Sequence, residues 1–246
     1  MTNLEIIQQL KTATFTDEDG EDYALEFHAG LTDQAIRELQ AQFPNQTLAP
    51  ELQEILTETR GWVGYGPEMV AFDSIDEFGF DYLIPHSITL GHDGFGNFWV
   101  LDLDSQGTPG KVYYACHDPA VLVIHSQSLN EYLQHLLAFY QGPEKNHLNE
   151  VHDDTVWEVW KSLPNASPKQ EFLESNPDFN RFLEAFEGEN WTVADLRMGQ
   201  NKLGFAWGKF GFNQKITRHP TELVWVIENK KEKSGLKGLK RLFGRS

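Results

Sequence analysis

An Asp-Gly turn set between two apolar runs constrains this chain more than any other feature. In residues 88–104, ITLGHDGFGNFWVLDLD, the strand-like runs ITL and NFWVLDLD flank His92-Asp93-Gly94-Phe95-Gly96. Glycine supplies the positive φ that such turns need, so the segment predicts an antiparallel hairpin. After the turn, Phe98, Val100 and Leu101 mix with Asn97, Asp102 and Asp104. That mixture predicts a half-buried strand with acids at its exposed end.

The rest of the chain supplies helices on one side of this hairpin and more strands on the other. Leu4, Ile6, Ile7 and Leu10 suit one helical face, capped by Thr2 or Asn3. Tyr23, Leu25 and Phe27 alternate as in a strand. Thr32 or Asp33 opens a helix carrying Ile36, Leu39 and Phe43 and stopped by Pro44. Pro50 opens another, with Leu52, Ile55 and Leu56, closed by Gly61. Short strands are expected at 69–72, 87–90, 97–103, 111–116 and 121–124. A helix capped by Ser126 or Ser128 then runs to Gly142-Pro143. Strands without helices between them indicate an antiparallel α+β fold, with helices flanking the sheet.

The segment D-G-F-G-N-F-W-V-L-D-L, Asp93 to Leu103, resembles the core of the SMI1/KNR4 (SUKH) superfamily. The likeness extends back over LTDQAIRELQAQFPNQTLAPELQEILTETRGW, similar to that family's paired opening helices. It extends forward over GKVYYACHDPAVLVIHSQSLNEYLQHLLAFYQ, similar to its last strands and closing helix. It covers roughly residues 31–141. An extra N-terminal segment, a glycine run reduced to Gly61, Gly64 and Gly66, and about a hundred further residues depart from the family pattern.

The organisation expected is therefore a SMI1/KNR4-like domain over 1–141, a polar linker at 142–149 and a small C-terminal α+β subdomain over 150–228. A basic tail, 229–246, follows. In the subdomain, Val156, Val159 and Leu163 suggest a helix stopped by Pro164. A helical pair surrounds Pro177, and strand-like runs fall at 191–196, 203–210 and 223–227. In the tail, Leu236, Leu239, Leu242 and Phe243 lie between basic residues, the spacing of a short amphipathic helix. Gly235 and Gly238 weaken it, which favours a solubilising terminus over a lipid or RNA contact.

Charge sharpens the functional reading. The net charge is −17, but the tail carries about +6 and the remaining 228 residues about −23. Such a body repels nucleic acid and favours a basic partner. One cysteine, Cys116, permits no internal disulfide and suits a reducing cytoplasm. No secretory start is expected from residues 1–20, which lack a basic start followed by an apolar core, and no apolar run reaches the about 20 residues of a membrane-spanning helix.

Local motifs carry no visible catalytic centre. His86, His92, Asp93, Asp102 and Asp104 cluster in sequence, but neighbours on a strand point to opposite faces, so no metal is expected. Cys116-His117-Asp118 reads as a strand end rather than a nucleophile with its base. The glycines form neither a phosphate loop nor a dinucleotide fingerprint, and no cofactor is expected.

The resemblance implies a non-enzymatic binding protein of the compact bacterial, immunity type, which holds a toxin, often a nuclease, inactive. Its partner would be a basic toxin domain gripped by an acidic face with aromatic anchors. The candidate contact residues are Tyr65, Asp73, Asp76, Glu77, Asp81, Tyr82, Asp93, Asp102 and Asp104. A regulatory or scaffold protein of the same family and an enzyme with a dispersed site are the alternatives.

Overall fold

A computed structural model describes residues 1–230 apart from 18, 65–66, 143–145 and 212–213. The basic tail beyond Lys230, and Tyr65, lie outside the described residues. The chain opens with α1 (Asn3–Thr12), β1 (Phe15–Thr16), β2 (Asp22–Tyr23), β3 (Glu26–Ala29), α2 (Asp33–Gln40) and α3 (Pro50–Glu58). Five strands follow in sequence after β4 (Thr59–Val63): β5 (Met69–Ala71), β6 (Ser87–His92), β7 (Phe98–Leu103), β8 (Pro109–His117) and β9 (Ala120–Ser126). Then come α4 (Leu129–Gln141), α5 (His147–Glu150), α6 (Val156–Ser162), β10 (Ala166–Pro168), α7 (Lys169–Ser175) and α8 (Asn180–Leu183). The described chain closes with β11 (Trp191–Asp195), β12 (Gly204–Phe205), β13 (Ile216–Arg218) and β14 (Val224–Glu228).

The α+β architecture is antiparallel throughout. One eight-stranded sheet runs β12-β9-β8-β7-β6-β5-β4-β3, and a four-stranded sheet runs β10-β11-β14-β13. Alternation along the central strands explains how the layers stack. Trp99 and Leu101 of β7, Tyr114 of β8 and Val123 of β9 point to one face, where α1, α3 and α4 bury Ile7, Ile55 and Leu133. Val100, Tyr113 and Ile124 point to the other, where the four-stranded sheet contributes Trp225 and Ile227. The Trp225 indole donates to the Leu83 carbonyl at 2.8 Å, which satisfies its polar edge inside this second layer.

This covering corrects the expectation of a half-buried strand with acids at its exposed end. From Trp99 to Leu103 every residue of β7 is buried, Asp102 included, with only 8% of its surface accessible. A carboxylate tolerates this only when paired. Arg218 of β13 supplies the pair, bidentate at 2.7 and 2.6 Å.

Helix caps fall where the residue types place them. Thr2 and Glu5 form a capping box on α1, Thr32 caps α2 and Ser128 caps α4. Gly61 does not cap α3: the chain passes from Glu58 directly into β4, and Gly61 lies within that strand at φ 140°. A Cβ there would stand 1.9 Å from the Val70 carbonyl oxygen, so close pairing with β5 requires glycine. The single strand expected around Tyr23–Phe27 divides into β2 and β3, which belong to different sheets. The run at 203–210 is a strand only at β12, then a 3₁₀ turn at Trp207–Phe210. The three-residue strands β10 and β13 were not expected.

The expected linker is only partly loop-like. Asn146 caps α5, and Leu148 is buried in the same core as α4. Between α5 and α6 the backbone widens into a π turn, Val151–Thr155. Such turns are rare and occur frequently at functional sites.

Candidate functional site: an apolar groove behind the Asp93 turn

The β6–β7 turn is built by Asp93. Its Oδ1 accepts the amides of Phe95 at 2.9 Å and Asn97 at 3.2 Å, and Asn97 Nδ2 donates to Oδ2 at 2.5 Å. Gly94 and Gly96 adopt φ of 76° and 90°, the left-handed backbone that lets the chain reverse. Asn97 in turn accepts the His117 amide, tying the turn to the end of β8. The outcome is that Phe95 stands at the tip with 80% of its surface exposed.

Behind this tip lies a groove of about 480 Å³. Trp99, Tyr114, Phe139 and Leu148 give apolar walls, Phe95 forms a lip, and Glu68, Asp93, Asn149 and His152 supply the polar groups. His152 belongs to the π turn; its ring meets Tyr114 edge-on at 6.0 Å, and its Nδ1 bonds Asp153 at 3.0 Å. Glu68 and Asp153 keep about two-thirds of their side chains exposed. No Lys or Arg is among the described residues lining the groove.

The other candidate contact residues are dispersed. Asp73 pairs with Arg60 at 2.7 Å. Asp76 accepts the Ser87 amide at 3.0 Å, and Ser87 stands opposite Asp102 in the sheet. Asp104 closes its own turn by accepting the amides of Gln106 and Thr108, each at 2.8 Å. Glu77 and Asp81 are exposed, and Tyr82 packs edge-to-face on Phe80 and Trp207. Asp76 and Asp102 thus sit at one end of the β6–β7 hairpin and Asp93 at the other, about 20 Å away along a six-residue strand. Of the candidate set, Asp93 alone lines the groove.

Cys116 is buried, and burial pushes its thiol up to about 11, which leaves it un-ionised and unsuited to nucleophilic attack. A cluster that sequence reading missed lies close to the groove. His125 of β9, His135 of α4 and His147 of α5 come together, and Trp99 touches His125 edge-on at 6.4 Å. Burial and the neighbouring imidazoles hold His125 well below its ordinary value, and burial with His147 beside it lowers His135 to about 4. The three rings are neutral near pH 7. One signal was legible: His125 directly follows the apolar run VLVI at a position whose neighbours are buried.

Residues 30–135 match the family model described as SMI1 / KNR4 family (SUKH-1). This stretch is similar to the SUKH-1 family. It runs from the approach to α2 into α4 and contains the Asp93 turn and most of the groove's sheet residues. Phe139, Leu148, Asn149 and His152 complete the groove from beyond the SUKH-1 match. The family includes immunity proteins, and its members often bind partner proteins. No curated protein and no solved structure matches the chain. Among the described residues no helix is long and apolar enough to cross a membrane.

Proposed function

We propose that this chain is a non-enzymatic, immunity-type protein of the cytoplasm that holds a basic toxin domain, of the nuclease class, inactive. The observation that carries the reading is the groove. Its walls are aromatic and aliphatic, its rim bears the exposed carboxylate of Glu68 and that of Asp93, and an exposed Phe95 stands at its lip. An apolar pocket ringed by charge of one sign is how protein interfaces concentrate binding energy on one inserted side chain. An Arg or Lys stem with its cationic head at the rim fits that chemistry. The acidic body adds long-range attraction for a basic partner and speeds encounter.

An enzyme would bring a base, an orienting group and an electrophile towards one point. Here the Asp93 carboxylate is committed to its own turn and His152 to Asp153. The polar groups of the groove therefore serve as rim contacts.

The test is capture from the native cell at low and moderate salt, followed by assay of each captured protein with and without the chain. The expected result is a basic partner whose nuclease activity is suppressed at equal molarity. Its association should slow as salt shortens the screening length from about 10 Å at 0.1 M towards about 3 Å at 1 M. Capture of no basic protein, or turnover of a substrate panel by the purified chain, overturns the proposal.

A further inference from the structure

The three histidines beside the groove meet conditions that a buried polar cluster seldom meets by packing alone. One ring nitrogen from each lies within 4.8 Å of the other two. The ring centroids are 5.4 Å apart for His125–His135, 4.7 Å for His125–His147 and 4.1 Å for His135–His147. Three separate elements deliver them: a central strand, the closing helix of the family-matched segment and the short α5 beyond it.

The hydrogen bonds orient these rings while leaving nitrogens over. Ser126 Oγ lies 2.8 Å from His125 Nδ1 and 3.1 Å from His135 Nδ1. His147 Nε2 lies 2.7 Å from the His125 carbonyl oxygen. If each of these nitrogens carries the proton, the second nitrogen of every ring keeps its lone pair. His125 is fully buried, and its Nε2 has no hydrogen-bond partner. An orphaned nitrogen at that depth is destabilising and calls for a ligand.

We propose that His125, His135 and His147 form a binding site for a divalent transition-metal ion of the zinc type. Two nitrogens bound tetrahedrally to one zinc at about 2.0–2.1 Å each lie about 3.3–3.4 Å apart, so side-chain shifts of about 1–1.5 Å close the site from the present spacing. An all-imidazole set selects zinc, copper, nickel or cobalt and rejects magnesium and calcium, which require oxygen ligands. Ser126 and the His125 carbonyl hold the ring tautomers, the role that outer partners play in known metal sites. Glu131, whose Oε1 is 4.0 Å from His135 Nε2, places negative charge beside the ion. Three protein ligands leave the fourth position to water.

The site has a mechanical consequence. His147 is the first residue of α5, and α5 runs straight into the π turn that carries His152. A metal would fasten that segment to β9 and α4, and so fix one wall of the groove.

The experiment uses the untagged full chain, stripped with chelator and titrated with Zn²⁺, Co²⁺ and Mg²⁺ by calorimetry, thermal unfolding and visible absorption. Expected are one equivalent of Zn²⁺ per chain, a raised Tm, and intense tetrahedral cobalt bands that Zn²⁺ displaces. Mg²⁺ should give none of these. His135→Gln and His147→Gln, both at partly exposed positions, should weaken binding by more than the roughly 10–100-fold that loss of an orienting partner costs. His152→Gln and His219→Gln should bind as the wild type does. No saturable single site, weak octahedral cobalt bands, or affinity unchanged in both ligand variants would each overturn the proposal. The wild-type cobalt spectrum decides the matter without reliance on any variant's folding.

Discussion

Arg218 reaches across 116 residues of sequence to clasp Asp102, with Nη1–Oδ1 at 2.7 Å and Nη2–Oδ2 at 2.6 Å. Both side chains are only 11% exposed, so neither charge could stand there alone. The pair joins the central strand β7 to β13 of the covering sheet. Replacing Arg218 by Met should lower stability by about 3–5 kcal/mol in urea unfolding, because it strands a buried carboxylate. The double variant Asp102→Leu with Arg218→Met should lose less than that single change. Equal losses for both would show that the ion pair does not couple the two sheets.

Removal of residues 165–246 strips the covering sheet. Val100, Tyr113 and Ile124 would then face water on the second side of the central sheet. The truncated chain should bind a hydrophobic dye and lose cooperative unfolding, although it keeps the whole family-matched segment. A sharp unfolding transition in the truncated chain would mean that residues 30–135 and their flanks are stable alone.

Asp93 and Phe95 separate turn building from partner contact. Asp93→Ala removes the acceptor for two backbone amides and should cost about 1–3 kcal/mol of stability. Phe95→Ala removes an exposed ring and should leave stability within about 0.5 kcal/mol. The same change should weaken the partner complex by about 2 kcal/mol or more, measured by calorimetry once the partner is in hand. If affinity survives Phe95→Ala, the lip of the groove is not the anchor.

Cys116 should resist alkylation in the native protein and react only on unfolding, since burial keeps its thiol protonated. The sign for stability follows from the raised value. Well below pH 9 the thiol is neutral in both states. Between pH 9 and about 11 the unfolded chain releases the proton while the folded chain retains it, so stability falls as pH rises. Cys116→Ala should flatten that slope relative to wild type; an unchanged slope would assign it to other groups.

The central sheet was legible because β6 to β9 are short, nearly continuous apolar runs bounded by turn residues, and Asp93-Gly94 marks the reversal between β6 and β7. The motif around that reversal also carried the family. The covering sheet was harder to see: β10 and β13 are three residues each, too short for periodicity to register, and they exist only by pairing with β11 and β14. Asp102 looked exposed because its partner lies in one of those strands. The groove draws Trp99 and Tyr114 from the sheet and Leu148 and His152 from beyond α4, so no local window contains it. The histidine cluster escaped for the same reason: its members come from three elements and share no spacing motif.

Where β7, β8 and β9 lie, the sheet is roofed on one side by helices and floored on the other by the second sheet. A macromolecule arriving there finds no broad pleated surface to lie against. What remains open is the rim, where strands turn back and α5 meets the hairpin tip. A partner of the kind proposed would therefore meet the protein end-on, through a few protruding reversals, and variation in that partner would be met by altering those reversals while the sandwiched layers stay as they are.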